Sequence, residues 1–279
     1  MRIAAAQIVT GEDPQQNLAL VEKWTAQAAE AGARLVVFPE AVQRAFGHSL
    51  TPIAEPVDGA WGTELRRIAE RHGVAIVAGM FTPAQPGEQG RERVTNTLLV
   101  VDGAVDGTGN GVLAAYDKIH LYDAFGFQES KTVAPGEAPA RFALDGQTLG
   151  LATCYDIRFP NLFTAHARAG ALATILPASW GAGPGKVDQW RLLARARALD
   201  STQYVIACGQ GLPSAAGVEA VEGAPTGVGH SMIVSPTGEM LAEAGEAPEL
   251  LVADLDADVV TAARQRLPVL ANAREIPQG

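Results

Sequence analysis

Leu35-Val36-Val37-Phe38-Pro39-Glu40 sets the architecture of this chain. Its four apolar residues show no polar alternation, so the strand they form is expected to be buried on both faces, inside a sheet covered by helices. A glutamate then stands just past the strand's carboxyl end. Upstream, Arg2–Ile8 reads as another strand. Asp13-Pro14 places a capping carboxylate before proline at the first helical position, and the helix it opens runs towards Ala31 and stops at Gly32. Downstream, a helix near Gly62–His72, stopped by Gly73, leads into a strand at Val74–Ala78. Strand, helix, strand, helix, strand is the rhythm of an α/β domain.

The middle of the chain changes texture. Pro83–Arg93 is a polar loop, and Thr97–Asp102 and Val112–Asp117 read as an antiparallel hairpin joined through Gly103–Gly111. Gly107, Gly109 and Gly111 are read as turn residues, since no strand–loop–helix frame supports a phosphate loop there. Further strands are expected at Ala140–Leu144, Thr148–Thr153, Ala173–Leu176, Gln203–Cys208, His230–Val234 and Leu250–Asp254. Helices are expected near Asn161–Ala169, Val187–Asp200 and Ala257–Leu267. With no internal repeat or linker, residues 1–268 read as a single domain of parallel and antiparallel strands, followed by a tail at 269–279.

Composition narrows the function. The 279 residues are 47% hydrophobic and 19% charged, with a formal net charge of −10, which argues against a nucleic-acid partner held by counterion release. No apolar run approaches the ~20 residues of a membrane helix. The start, Met1-Arg2-Ile3-Ala4, lacks a signal-peptide pattern. Two cysteines, Cys154 and Cys208, imply no disulfide framework. The expectation is a soluble cytoplasmic protein with no membrane partner.

Three segments deliver a reactive side chain where an apolar strand ends. Leu35–Glu40 brings a carboxylate, Ala114-Ala115-Tyr116-Asp117-Lys118 an amine, and Leu149-Gly150-Leu151-Ala152-Thr153-Cys154 a thiol. The carboxyl edge of an α/β sheet is the usual mouth of an active site. A base, a cation and a thiol gathered there form an acyl-transfer kit. Each residue alone has a plainer reading: an exposed strand-end charge, a solvated lysine, a small buried thiol.

Together, these segments resemble the signature of the carbon–nitrogen hydrolase (nitrilase) superfamily. The similarity extends from Ala5-Ala6-Gln7 to Arg264-Gln265-Arg266-Leu267-Pro268-Val269. Cys154-Tyr155-Asp156-Ile157-Arg158-Phe159-Pro160, Phe127-Gln128-Glu129-Ser130-Lys131-Thr132 and Arg195-Ala196-Arg197-Ala198 resemble the branch of omega-amidases and deaminated-glutathione amidases. The resemblance implies an α/β fold of four layers, an α-β-β-α sandwich with mixed sheets, paired into a homodimer or higher homo-oligomer. It implies hydrolysis of a small amide to an acid and ammonia through a thioester, with no metal or cofactor.

Carried over by position, Cys154 is the nucleophile, Glu40 the general base, Lys118 the support for the tetrahedral intermediate together with the backbone N–H of Tyr155, and Glu129 a second, positioning glutamate. Glu129 has an alternative as a salt-bridge partner of Lys131 or Lys118. Arg158 is a candidate for gripping a substrate carboxylate, or else an anchor paired with Asp156. Trp180 is a candidate pocket wall or core residue. Gln189 stands where relatives commonly carry histidine, which loosens the transfer of substrate identity. His120 and His230 are read as structural, and Cys208 as core. Two other readings stay open: a papain-like pair of Cys154 with His120 or His166, and a catalytically silent interaction scaffold.

Overall fold

The computed structural model describes residues 1–87, 90–103, 111–124 and 126–274. The first half contains β1 (Arg2–Gln7), α1 (Pro14–Glu30), β2 (Leu35–Val37), α2 (Ala60–His72), β3 (Ala75–Pro83), β4 (Val94–Val101) and β5 (Val112–Asp117). Short pieces follow: β6 (Asp123–Ala124), β7 (Phe127–Gln128) and β8 (Val133–Ala134). The second half contains β9 (Arg141–Leu144), β10 (Gln147–Leu151), α3 (Pro160–Arg168), β11 (Ala173–Ala178), α4 (Lys186–Ser201) and β12 (Tyr204–Gly209). It closes with β13 (Met232–Val234), β14 (Met240–Glu243), β15 (Glu249–Asp254), α5 (Ala257–Arg266) and α6 (Val269–Asn272), the last lying within the expected tail.

One sheet has the order β15-β1-β2-β3-β4-β5, with β8 beside β4; the other has the order β14-β13-β12-β11-β10-β9. In each, three central strands run parallel (β1, β2, β3 and β10, β11, β12) and the outer ones pair antiparallel with their neighbours, except that β8 lies parallel to β4. The Leu35–Val37 strand explains how the layers stack. Val36 joins Ala4, Ile76 and Ala78 under the helical residues Val21, Leu65 and Ile68. Leu35 and Val37, pointing the opposite way, join Ile3, Ala5 and Val77 against Leu149, Leu151, Ile175 and Ile206 of the second sheet. Trp190 and Ala194 of α4 and Leu162 and Phe163 of α3 belong to that same core, so the layers are helix, sheet, sheet, helix. All three residues of β2 are fully buried, as its uninterrupted apolar character requires.

Helix ends follow their local chemistry. The Asp13 side chain accepts from the Gln15 N–H at the start of α1, and Gly73 ends α2 in the left-handed region. The hairpin of β4 and β5 forms as expected, with Gly111 at φ +74°. Gly107 and Gly109 lie outside the described residues. Strands β6, β7 and β8 are two residues each and leave no periodic trace in sequence.

This topology gathers the site. β5 lies two antiparallel steps from β3, so it runs as β2 and β3 do and ends at the same edge. β4 begins there. β10 and β11 end over that edge from the second sheet.

Candidate active site

Glu40 leaves the sheet just after β2. Phe38 N–H still donates to Val77 O at 2.8 Å, and then Ala41 turns through φ +59°. Gly79 of β3 makes room for this turn: a Cβ there would lie 2.8 Å from the Ala41 nitrogen. Cys154 also occupies the left-handed region, at φ +47°, opening a short 3-10 turn over Cys154–Arg158. Such backbone costs about 1–3 kcal/mol and persists only where surrounding contacts hold it.

Asp156 does the holding. Its fully buried carboxylate accepts from Thr153 N–H (2.8 Å), Tyr116 O–H (2.7 Å) and His120 N–H (3.1 Å), and its Oδ1 also lies 2.7 Å from His120 Nδ1. The Cys154 turn is thereby bound to the segment that carries Lys118. The His120 ring stacks on Phe159 with centroids 3.6 Å apart.

At the centre, the Lys118 ammonium lies 3.1 Å from Glu40 Oε1 and 2.9 Å from Glu129 Oε2. Asn96 Nδ2 donates to Glu40 Oε1 at 2.8 Å and to Glu129 Oε1 at 3.4 Å. Ser179 N–H donates to Glu40 Oε2 at 2.8 Å, and Tyr122 N–H to Glu129 Oε2 at 2.7 Å. Glu40, Asn96, Lys118 and Glu129 are all at most 3% exposed. Burial alone would lower the affinity of Lys118 for its proton, but the charges of Glu129 and Glu40 outweigh it and hold that affinity well above the usual range. Cys154 is held well above the ordinary thiol range by burial and by the Glu40 charge, against the opposing pull of Lys118.

These groups face one pocket, open to solvent, whose walls include Glu40, Lys118, Glu129, Cys154, Tyr155, Arg158 and Trp180. Phe46, Tyr122, Phe127, Lys186 and Pro225 complete much of the lining. Every expected site residue thus lies on one pocket. Glu129 pairs with Lys118 rather than Lys131. Arg158 does not anchor on Asp156, whose acceptor sites go to other donors; Arg158 Nη2 donates to Gln189 Oε1 at 2.8 Å, and its guanidinium lies 5.4 Å from the Trp180 ring centre. Trp180 is both wall and core: it is 5% exposed and packs on Trp190.

Neither histidine of the papain-like alternative borders this pocket. His120 is engaged by Asp156, and buried His166 has Nε2 2.9 Å from Leu151 O. Asn96 and Ser179 escaped the sequence reading, and Asp156 entered it only as a partner for Arg158. Asn96 carried a faint signal, an amide within the otherwise well-buried Val94–Val101 strand.

The carbon–nitrogen hydrolase family model matches residues 2–265. The chain belongs to this family. As a carbon–nitrogen hydrolase it is 55% identical to a hydrolase of Mycobacterium tuberculosis over 280 residues, covering 100% of this chain and 97% of that one. It is 35% identical to the deaminated glutathione amidase of Escherichia coli O157:H7, covering 99% and 98% of the two chains. Among solved structures, an amidase from Nesterenkonia sp. AN1, trapped with acrylamide added at its active-site cysteine, superposes with a TM-score of 0.74 at 32% identity, over 96% of this chain and 98% of that one. The hydrolase thus has the layered nitrilase-type fold that its strands suggest.

Proposed function

We propose that this hydrolase cleaves a small aliphatic amide, including one bearing a distal carboxylate, to an acid and ammonia through a thioester on Cys154. One observation carries the reading: a buried ammonium, a buried carboxylate and a thiol share the wall of one pocket. Glu40 Oε1 already accepts from both Lys118 and Asn96, whereas Oε2 accepts from Ser179 N–H. Oε2 is therefore the atom with capacity for another proton. As sulfur attacks the amide carbon, Oε2 takes the thiol proton and then hands it to the departing ammonia.

Glu40 Oε1 and both Glu129 oxygens engage the Lys118 ammonium, which also borders the pocket, where it supports the oxyanion together with Tyr155 N–H. Losing such a donor typically costs about 10²–10³-fold in kcat. Water activated by Glu40 then hydrolyses the thioester, releasing the acid.

The recognition end is aromatic and basic. The partners of Arg158, the Gln189 amide oxygen and the Trp180 ring, are uncharged, so they leave its positive charge for a substrate carboxylate. The Escherichia coli relative is named an amidase, in keeping with an amide substrate. The two free cysteines suit a reducing, cytoplasmic setting. Leu192 and Leu199 of α4, with Met240 and Leu241 of β14, are exposed apolar residues suited to a homodimer contact; a single-chain mass in sedimentation would remove that assignment.

The deciding experiment measures ammonia release from a panel of small amides. Wild type is expected to turn over at least one, and Cys154→Ala none while keeping its thermal transition. Full activity in Cys154→Ala, or no acyl adduct on Cys154 in quenched reactions of a slow substrate, would overturn the mechanism.

A further inference from the structure

Two carboxylates and one ammonium share this dry site, so Lys118 neutralises only one negative charge. Buried carboxylates need donors for the rest. Tyr122 N–H serves Glu129 and Ser179 N–H serves Glu40, each from its own side. Besides Lys118, Asn96 is the side chain among the described residues that hydrogen-bonds both glutamates, with one amide nitrogen 2.8 Å from Glu40 Oε1 and 3.4 Å from Glu129 Oε1. Its orientation is dictated, because the flipped amide would press Oδ1 against carboxylate oxygens. In the orientation observed, Oδ1 is buried with no donor among the described residues. An orphaned buried acceptor is a cost to stability, tolerated here for what the other end of the amide does.

Location agrees with that role. Asn96 lies at the start of β4, paired with Phe81, and its carbonyl accepts from Lys118 N–H at 2.9 Å. One residue therefore touches the base, the second glutamate and the backbone of the lysine.

Building on the amidase reading above, we propose that Asn96 is a positioning residue: its amide N–H₂ group holds the Glu40 and Glu129 carboxylates in fixed order and presents Glu40 Oε2 to the thiol. A neutral donor suits the task. A second lysine there would cancel the remaining negative charge, whereas an apolar residue would leave the buried Glu40 carboxylate short of a donor. The charged or titratable groups facing Glu40 are Lys118 from the end of β5, Glu129 from the segment after β7, and Cys154 from the turn after β10.

The test is Asn96→Leu, close in size but without donors, beside the isosteric Asn96→Asp. For Asn96→Leu, kcat is expected to fall about 10- to 100-fold, the range for one hydrogen bond to a charged group. KM should change much less. The acid limb of kcat/KM against pH should move upward, because a carboxylate stripped of a donor holds its proton more tightly. Asn96→Asp keeps the shape but donates only while protonated, so its activity is expected to be confined to lower pH than wild type. Wild-type kcat and pH limbs in either folded variant would overturn the proposal, as would a loss confined to KM. If Asn96→Leu does not fold, the Asn96→Asp profile decides alone. Failure of this inference is separable from failure of the amidase reading: in the first case wild type still releases ammonia and Cys154→Ala does not, and in the second wild type releases none.

Discussion

At the scale of single residues, the site is an exercise in matching partners to charge. Arg158 is the sharpest case. Its planar donors suit a carboxylate, and a neutral amide and an aromatic face hold it without quenching it. Arg158→Leu is expected to raise KM for amides with a distal carboxylate about 10- to 100-fold, the scale of a lost charge-assisted hydrogen bond, while KM for neutral amides stays within about threefold. Equal effects on both substrate types, measured by steady-state kinetics, would dismiss the carboxylate role. That Glu40, Lys118 and Cys154 meet at one pocket was legible in sequence because each ends an apolar run. Asn96 and Ser179 were not. A polar residue at a strand end has many ordinary uses, and only the third dimension shows that these two converge on Glu40.

Elements set how accurately those residues meet. Most strands and helices were readable because the apolar period is strong: β2 carries no polar residue at all, and α2 ends on a left-handed glycine. What could not be read was how the turns are held. The Cys154 turn depends on Asp156 bonding to Tyr116 and His120, residues that precede it by 40 and 36 positions. The Glu40–Ala41 turn depends on the absence of a side chain at Gly79. Gly79→Ala would bring a methyl to 2.8 Å from backbone that cannot rotate away, so the Glu40–Ala41 turn must shift. We expect kcat to drop at least tenfold, with a stability loss of about 1–3 kcal/mol by denaturant unfolding. An unaltered kcat would show that the turn is more compliant than its packing implies.

The whole molecule is two sheets clasped face to face, and Cys208 lies in the clasp. It belongs to β12 of one sheet, and its Sγ reaches the carbonyls of Ala6 (3.5 Å) and Val37 (3.2 Å) in the other. Burial pushes its thiol far above the ordinary range, and Cys154 is shifted the same way. An unfolded chain loses thiol protons near pH ~8.5, while the folded one keeps them to much higher pH. Above that point the native state binds more protons, so stability must fall as pH rises. Cys208→Ala is therefore expected to flatten the decline of the melting temperature between about pH 8.5 and 10, and adding Cys154→Ala to flatten it further. Identical slopes in all three proteins would refute this.

The division of labour between the sheets has one more consequence. Glu40, Asn96 and Lys118 ride on the first sheet, whereas Cys154 and Ser179 ride on the second, so neither half owns a working centre. During refolding, helical signal can return early, yet turnover can return only when the last large surfaces have docked. Catalysis in this enzyme doubles as a stopwatch for the completion of folding, and a chain nicked between the halves should regain it only if the two fragments find each other.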